Sequence, residues 1–553
     1  MALNGSSARG VGTPSAGSGL RPIGLAELAT AVLVLLGFVV LLQIHDGAYA
    51  ADFDFDADSH YVSGLMIHDF ITSLRLQSPL AFLKNFHSHY PIIGIGHWGP
   101  LYYVVEGLWM IPFSTGIVSV LMLSAVVTAA TAAITYKLAA ERFGRLAGIA
   151  TALIFAAAPV IRESSNAVML DGAIALLCVG AALAYIAYLS SGRALHSVLF
   201  GLIAAAAMLI KGNAACLALL PPFAVLIGRR FDLLHRPSFW IPVPVVATLA
   251  GPWVLFTYGQ VAQGFRYSWG LTYLGLATAY NGHALMVVLG GAVVALGTAG
   301  FACVALGRRI WQHDNGLVGL ASLLAAVWVF QSVMPAAFQD RYLMPMLPPL
   351  LILALVPVQA VAAWFAAKAG AERALLRDPR RMMAAASVIL AGTFALGTRA
   401  IEPPPDFGFR RAAQQVWANR ISTNPSVLIG AEREGSAIAA LAMADPHRPS
   451  LFAVRGSRLL GGGGYNQQDY APRFATAREV MAAIDEYAIP LVLLRVTGRA
   501  GEWQHLRQLA EAQALYPDRW ELIYRDPSVS PELRLYRIRG NDAKVASEAR
   551  LLA

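Results

Sequence analysis

The sequence predicts an α-helical polytopic membrane protein of about eleven spans, with interfacial helices in its first outer loop, followed by a small α/β domain. Three observations carry that prediction. Hydrophobic residues make up 57% of the 553 and charged residues only 14%, with a mean hydropathy of +0.55, far from a soluble composition. Apolar runs long enough to cross a bilayer, roughly 17 to 25 residues each, recur from Ile23 to about Ala400. Beyond that point ordinary globular polarity returns.

The chain therefore divides into a flexible cytoplasmic N-terminus (1–22), a membrane domain (23–400) whose outer loop occupies 45–115, and an extracytoplasmic α/β domain (401–553). The first apolar run lacks a small-residue cleavage site, so a retained first helix is expected. Cys178, Cys216 and Cys303 all fall within predicted spans, as small buried side chains rather than a disulfide framework or a metal site. The formal charge of +9 resides largely in short loops between spans, which marks membrane topology and excludes a nucleic-acid partner.

Orientation turns on Gly99 to Phe113 (GPLYYVVEGLWMIPF), either a short span or a helix lying in the interface. If it lies flat, spans fall near 23–44, 116–136, 146–161, 171–189, 196–210, 212–228, 238–257, 283–306, 316–334, 342–364 and 383–399. The N-terminal side then holds sixteen Lys and Arg residues, from Arg9 to Arg381, against six opposite: Arg75, Lys84, Arg162, Lys211, Arg266 and Arg341. A crossing segment would reverse that bias, against the positive-inside rule. Tyr102, Tyr103, Glu106 and Trp109 also suit an amphipathic interfacial helix. The 45–115 loop and the C-terminal domain are thus both expected outside the cytoplasm.

That outer loop carries ADFDFDADSHY, with carboxylates at Asp52, Asp54, Asp56 and Asp58. An extended chain would put all four on one face, whereas a helix would pair only Asp54 with Asp58. Further ionisable residues stand at span ends on the same side: Asp171 in RESSNAVMLDGAI, Lys211 in LIKGNAACLALLPP and Arg341 in FQDRYLMPMLPP. Charges at membrane depth are costly and face protein-lined cavities. Carboxylates and cations gathered there describe a site for a phosphate-bearing lipid beside an acid–base group.

Taken in order, the acidic outer loop, HWGPLYY, the acid in MLDG, KG before a Pro-containing span and DRYLMPMLPP resemble the protein O-mannosyltransferase and aminoarabinose (lipid A) transferase superfamily, over roughly residues 23 to 365. The resemblance implies a GT-C fold and a polyprenyl-phosphate-sugar-dependent glycosyltransferase that inverts the sugar. Its partners would be membrane lipid, the donor, and an acceptor lipid, glycan or protein, in the bacterial inner membrane. Two departures stand out. Ala57 follows Asp56 where the family has an Asp–Glu pair, and Gly99-Pro100-Leu101 stands where consecutive prolines are frequent.

A general base that takes the acceptor hydroxyl's proton needs a carboxylate within hydrogen-bond reach, and Asp56 is the first candidate, with Asp58 next. Lys211 and Arg341 are the candidates to stabilise the departing phosphate, Arg as a planar fork of donors and Lys as a point charge. Asp171 is expected to orient Lys211, bind acceptor or join the loop acids around a divalent cation, no other cofactor being implied. Asp54, Tyr61 and Tyr342 complete the substrate-binding set. Asp52, nearer the first helix, is expected to be dispensable for turnover.

Each assignment has a plainer counterpart. The acidic run is then a solvated surface, Lys211 snorkels to headgroups, Arg341 anchors a helix end through Asp340, and His87, His89 and His97 are surface histidines rather than metal ligands. For the whole protein the alternatives are a non-catalytic transporter or binding protein for lipid-linked sugars, and a polymerase or ligase of lipid-linked glycans. A transporter would place charge pairs deep in its helices and show an internal repeat, whereas here the charges lie at outer ends and no repeat is found.

Past Pro403-Pro404-Pro405, the short runs SVLIGAE, SLFAVR, PLVLLR, WELIYR and LRLYRI alternate with helical stretches such as REVMAAIDEYAI and HLRQLAEAQALY, the pattern of an α/β domain. GGGGYNQQDY lacks the Lys-Ser/Thr ending of a phosphate loop and is read as a surface loop. The topology is testable: a tag after Arg230 is expected to read cytoplasmic and tags beside Asp58 and at Ala553 outside. An exterior signal at Arg230 reverses the orientation.

Overall fold

The computed structural model describes residues 22–73, 78–265, 267–307, 314–368, 378–463, 469–499 and 502–541. Arg9, Arg21, Arg75, Arg266, Arg308, Arg309, Arg373, Arg377 and the centre of GGGGYNQQDY lie outside the described residues. The first nine helices are α1 (Leu25–His45), α2 (Asp56–Thr72), α3 (Pro79–His89), α4 (Leu101–Met110), α5 (Ile117–Phe143), α6 (Arg145–Ala157), α7 (Pro159–Ser165), α8 (Leu170–Ser191) and α9 (Ala194–Met208).

Among the described residues five helices are long and apolar enough to cross a membrane: α1, α5, α8, Asn315–Val333 and Asp340–Trp364. Up to eight spans result if each of three bent pairs counts as one, which is fewer than the eleven expected. Three expected spans make the difference: 196–210 and 212–228 fall on shorter apolar helices, and Pro379–Gly397, over 383–399, is not among the candidate spans. α6 and α7 meet at 61° where Pro159 opens a new first turn, and Pro237–Leu249 meets Gly251–Ala262 at 62°. The run expected to cross at 283–306 instead folds back by 118° between Leu271–Leu289 and Gly291–Leu306. Gly290 makes that turn with φ of +81°, a conformation open to glycine. Ala194–Met208 and Gly212–Gly228 are shorter apolar helices.

α4 has ten residues, about 15 Å of helix at about 1.5 Å per residue, half of an apolar core of about 30 Å. It packs chiefly against α2. Its entry is pinned: the Gly99 N–H donates to the Ile210 carbonyl at 3.1 Å and the Leu101 N–H to that of Leu209 at 3.1 Å. A Cβ at residue 99 would collide with the Leu209 oxygen, so glycine permits this approach. The segment is thereby tied to the residues just before Lys211.

The C-terminal unit holds a five-stranded mixed sheet in the order β2-β1-β5-β7-β6. Its strands are β1 (Ser426–Gly430), β2 (Phe452–Arg455), β5 (Leu491–Leu494), β6 (Trp520–Asp526) and β7 (Leu533–Ile538). β1 runs parallel to β2 and β5, while β7 is antiparallel to β5 and β6. Every residue of β1 and β5 is buried, as expected for central strands covered on both faces. Two short strands, β3 (Gly461–Gly462) and β4 (Ala471–Pro472), pair beside it.

The outer loop joins this unit to the helical domain. The Tyr90 hydroxyl donates to Asp445 at 2.5 Å, and Arg448 Nε to Asp69 at 2.8 Å. Asp52 accepts from the backbone N–H groups of Phe407, Phe409 and Arg410 at 2.9, 3.1 and 3.1 Å, capping the helix Phe409–Ala418 across more than 350 residues of sequence. A carboxylate in that position meets both the orphan N–H groups and the positive end of the helix dipole. Asp52, expected to be dispensable for turnover, has this structural role. Asp52→Ala is expected to lower the stability of the purified protein by about 1 to 3 kcal/mol, read as an earlier thermal transition; an unchanged transition would remove Asp52 from this role.

Candidate active site

Both candidate cations open a 3₁₀ turn that feeds a helix beginning Leu-Pro-Pro. Lys211 is the N-cap of Gly212–Leu219, which leads to Leu220-Pro221-Pro222, and Arg341 is the second residue of Asp340–Met346, which leads to Leu347-Pro348-Pro349. Proline fits the first turn of a helix, where its missing N–H has no partner to lose. The two cations are therefore held by short, constrained backbone at span ends.

There they meet carboxylates from two other elements. Lys211 Nζ donates to Asp171 Oδ1 at 2.7 Å, in the first turn of α8, and both residues are buried. Arg341 donates through Nη2 to Asp56 Oδ2 at 2.6 Å, and its Nε lies 3.9 Å from Asp171 Oδ2. The Tyr342 ring lies 4.7 Å below Lys211 Nζ and 5.7 Å from the Arg341 guanidinium, within cation–π range. Asp56, Asp171, Lys211, Arg341 and Tyr342 thus form one cluster from four chain segments. Lys211, at 6% exposure, does not snorkel, and Asp340 pairs with Arg399 rather than anchoring Arg341.

The cluster is graded from closed to open. The Asp171 and Lys211 side chains are 4% and 7% exposed, those of Arg341 and Asp56 19% and 32%. Burial pushes the Asp56 carboxyl up, but its neighbours, Arg341 first among them, more than offset it and hold Asp56 below the usual carboxylate range. Asp171 Oδ2 and Arg341 Nε are buried with no hydrogen-bond partner among the described residues. A site with unspent donor and acceptor capacity at its centre is suited to an incoming polar group.

The other acids of the run go elsewhere. Residues 52–54 are outside any helix and α2 starts at Asp56 after Phe55, whose φ is +50°. The helical spacing then separates the side chains. Asp54 faces Arg433, Oδ1 to Nε 3.4 Å, and Asp58 packs against Gly435, where a Cβ would strike its carboxylate. Asp58, the second candidate base, is therefore not in the cation cluster. Tyr61 is fully buried, its ring tilted against that of Phe53 and its hydroxyl donating to the Thr115 carbonyl at 2.9 Å, so it packs in the loop's core.

His60 was not legible as a site residue, although it follows Asp56 by one helical turn and so shares its face. Its Nδ1 meets the Tyr103 hydroxyl at 2.9 Å and its ring packs edge-on against Trp98 at 4.5 Å. Burial pushes His60 down to about 3, so it lines the cluster as a neutral ring. The three histidines weighed as metal ligands or surface residues do not gather: His89 stacks on Phe452, His97 packs on Trp98, and His87 faces a separate groove. Among the described residues no three His, Cys, Asp or Glu side chains are placed to hold a metal ion.

Asp58 provides a pH test. Burial first, and then the Asp56 and Asp54 charges, push its carboxyl up to about 8. Below about pH 4 both folded and unfolded forms hold the proton; between about 4 and 8 only the folded form does, so this group's contribution to stability falls as pH rises through that window. Asp58→Asn is expected to flatten the decline and to raise the melting temperature more at pH 8 than at pH 5. Equal shifts at both values would contradict the assignment.

Residues 100–256, which include Asp171 and Lys211 but neither Asp56 nor Arg341, match the family model of dolichyl-phosphate-mannose-protein mannosyltransferases. No curated protein sequence matches the chain. Among solved structures, the chain is similar to ArnT from Cupriavidus metallidurans bound to undecaprenyl phosphate, with a TM-score of 0.56 and 15% identity over 93% of this chain and 98% of that one. It is also similar to the oligosaccharyltransferase of Archaeoglobus fulgidus in its apo form, with a TM-score of 0.53 and 14% identity over 92% of this chain and 74% of that one. The same archaeal enzyme, AglB, in complex with an inhibitory peptide and a dolichol-phosphate gives 0.51 and 14% over 91% and 73%. At such identities the likeness is one of fold, and the chain is a multi-pass membrane protein with the GT-C fold seen in these glycosyltransferases.

Proposed function

We propose that this protein transfers a single sugar from a polyprenyl-phosphate donor to an acceptor lipid, glycan or protein on the extracytoplasmic face of a bacterial inner membrane. One observation carries the reading: Arg341 bridges the half-buried Asp56 and the buried Asp171–Lys211 pair. A phosphate-binding cation and a candidate base thus touch before any substrate arrives. The ArnT structure was obtained with undecaprenyl phosphate and an AglB structure with a dolichol-phosphate, which supports a lipid-phosphate donor here. The excess of basic residues on the opposite side supports the orientation.

In this mechanism the donor phosphate takes up Arg341 and Lys211, and Arg341 turns from Asp56 toward the phosphate oxygens. Asp56 then loses the neighbour that holds its pKa down and becomes a stronger base, so base strength follows donor occupancy. The acceptor hydroxyl oxygen attacks the anomeric carbon from the face opposite the phosphate. Its proton passes to Asp56 as the carbon–oxygen bond to phosphate breaks, and the polyprenyl phosphate leaves with the bonding pair, its charge held by the two cations. Attack opposite the leaving group inverts the anomeric centre.

Asp56→Asn keeps size and polarity but cannot accept the proton, so sugar transfer is expected to fall by about 10²- to 10⁴-fold. Donor affinity in that variant should hold or tighten, because Arg341 loses its carboxylate competitor. Arg341→Gln should weaken donor binding by about 1.5 to 3 kcal/mol. Assays use a defined polyprenyl-phosphate-sugar and purified protein; wild-type turnover in Asp56→Asn would remove Asp56 as the base, and no transfer by the unmodified protein would leave a binding or transport protein as the better reading.

A further inference from the structure

His60 stands beside the cation cluster with the two nitrogens of its ring in different surroundings. Its Nδ1 lies 2.9 Å from the Tyr103 hydroxyl, and the edge of Trp98 packs against the ring at 4.5 Å. His60 and Tyr103 are both buried. A Cβ at residue 94 would stand 2.9 Å from the Tyr103 hydroxyl and from the Trp98 ring, so Gly94 leaves the space that these two side chains take. The Gly94 N–H is itself spent on Ser63 Oγ at 2.8 Å. Among the described residues the Tyr103 hydroxyl has no hydrogen-bond partner but His60. A sealed hydroxyl with no acceptor for its proton is costly, so Tyr103 donates, Nδ1 accepts, and the ring proton sits on Nε2. Turning the ring over would set carbon against the hydroxyl.

The charges acting on His60 are those of the cluster, Asp56 first and then Lys211, Asp171 and Arg341. Asp56 and His60 share one face of α2, four residues apart, and helical side chains lean toward the N-terminus, which carries His60 back over Asp56. We infer that His60 is a positioning residue for the base: when the donor phosphate draws Arg341 away, His60 Nε2–H takes the vacated place on the Asp56 carboxylate. The inference rests on the transferase reading of this site. Without such a donor Asp56 would be left half-buried and unpartnered, at a cost. A neutral N–H orients the carboxylate yet depresses its basicity less than the guanidinium it replaces, since it carries no full charge. One Asp56 oxygen then accepts from His60 and the other is left for the acceptor hydroxyl. His60 keeps its proton throughout, and Tyr103 acts one step further back by fixing the tautomer.

Two variants separate this role from packing. His60→Gln carries an amide N–H to the place of Nε2, whereas His60→Asn stops at that of Nδ1, beside Tyr103. In sugar transfer by the full-length protein in detergent, His60→Gln should keep kcat close to wild type, and His60→Asn should lower it about tenfold or more. KM for the polyprenyl-phosphate-sugar should not change, the phosphate being held by Lys211 and Arg341. Losing a hydrogen bond to the ionised carboxylate raises its pKa, so the acidic limb of the kcat profile should move to higher pH in His60→Asn and stay in place in His60→Gln. The other groups acting with Asp56 are Arg341, Lys211, Asp58 and His97, which neither variant alters. Equal losses in the two variants, or an unmoved limb in His60→Asn, overturn the inference. The tautomer is read without turnover: NMR of wild type carrying isotope-labelled histidine, with the resonance assigned by its absence from His60→Gln, should show His60 protonated on Nε2 alone. No transfer by the unmodified protein is the failure of the transferase reading; transfer with the proton on Nδ1, or on both nitrogens, is the failure of this inference alone.

Discussion

Two cations and two carboxylates share a partly buried space at one end of the helical domain, and the surrounding structure must keep all four together. A buried charge without a partner costs several kcal/mol, and removing one member of a buried pair typically destabilises by about 3 to 5 kcal/mol. Asp171 and Lys211 therefore hold α8 to the turn after α9, while Arg341 draws the start of the Asp340–Trp364 span and the N-terminus of α2 to the same point. Four distant segments converge because Arg341, paired with Asp56, also approaches Asp171 of the buried Asp171–Lys211 pair. The same balance leaves Arg341 with two claims on it and neither complete, the condition under which a phosphate competes well.

The outer loop is the second constraint. Its four carboxylates repel one another, and the chain resolves this by sending them to different partners. Asp52 caps a C-terminal helix, Asp54 meets Arg433, Asp56 meets Arg341 and Asp58 is buried against Gly435. Three of the four thus face the C-terminal unit, and that unit fixes the loop on which Asp56 stands. An acidic run that looks like solvated surface is a distribution point between two halves of the chain.

Asp171, Lys211 and Arg341 were legible in the sequence because ionisable residues are rare beside apolar spans, and each one there needs a reason. Asp56 was legible only as one of four. Which acid reaches the cations depends on where α2 begins, and that is set by the backbone at Phe55 and by contacts to residues 405–435, none of which hydropathy or spacing encodes. His60 had a signal, its spacing of one turn from Asp56, but that spacing has meaning only once the helix start is known. The fold-back at Gly290 was hidden for a related reason: both arms are apolar, so a hydropathy window sees one span where the chain makes two helices.

The central claim is that Lys211 and Arg341 form the cradle for a lipid-linked phosphate and that occupancy releases Asp56. A structure of the protein with polyprenyl monophosphate tests this most directly. The account predicts phosphate oxygens within about 3 Å of Lys211 Nζ and of the Arg341 guanidinium, with the Arg341–Asp56 bond of 2.6 Å opened. Phosphate bound elsewhere, with that bond intact, would contradict it.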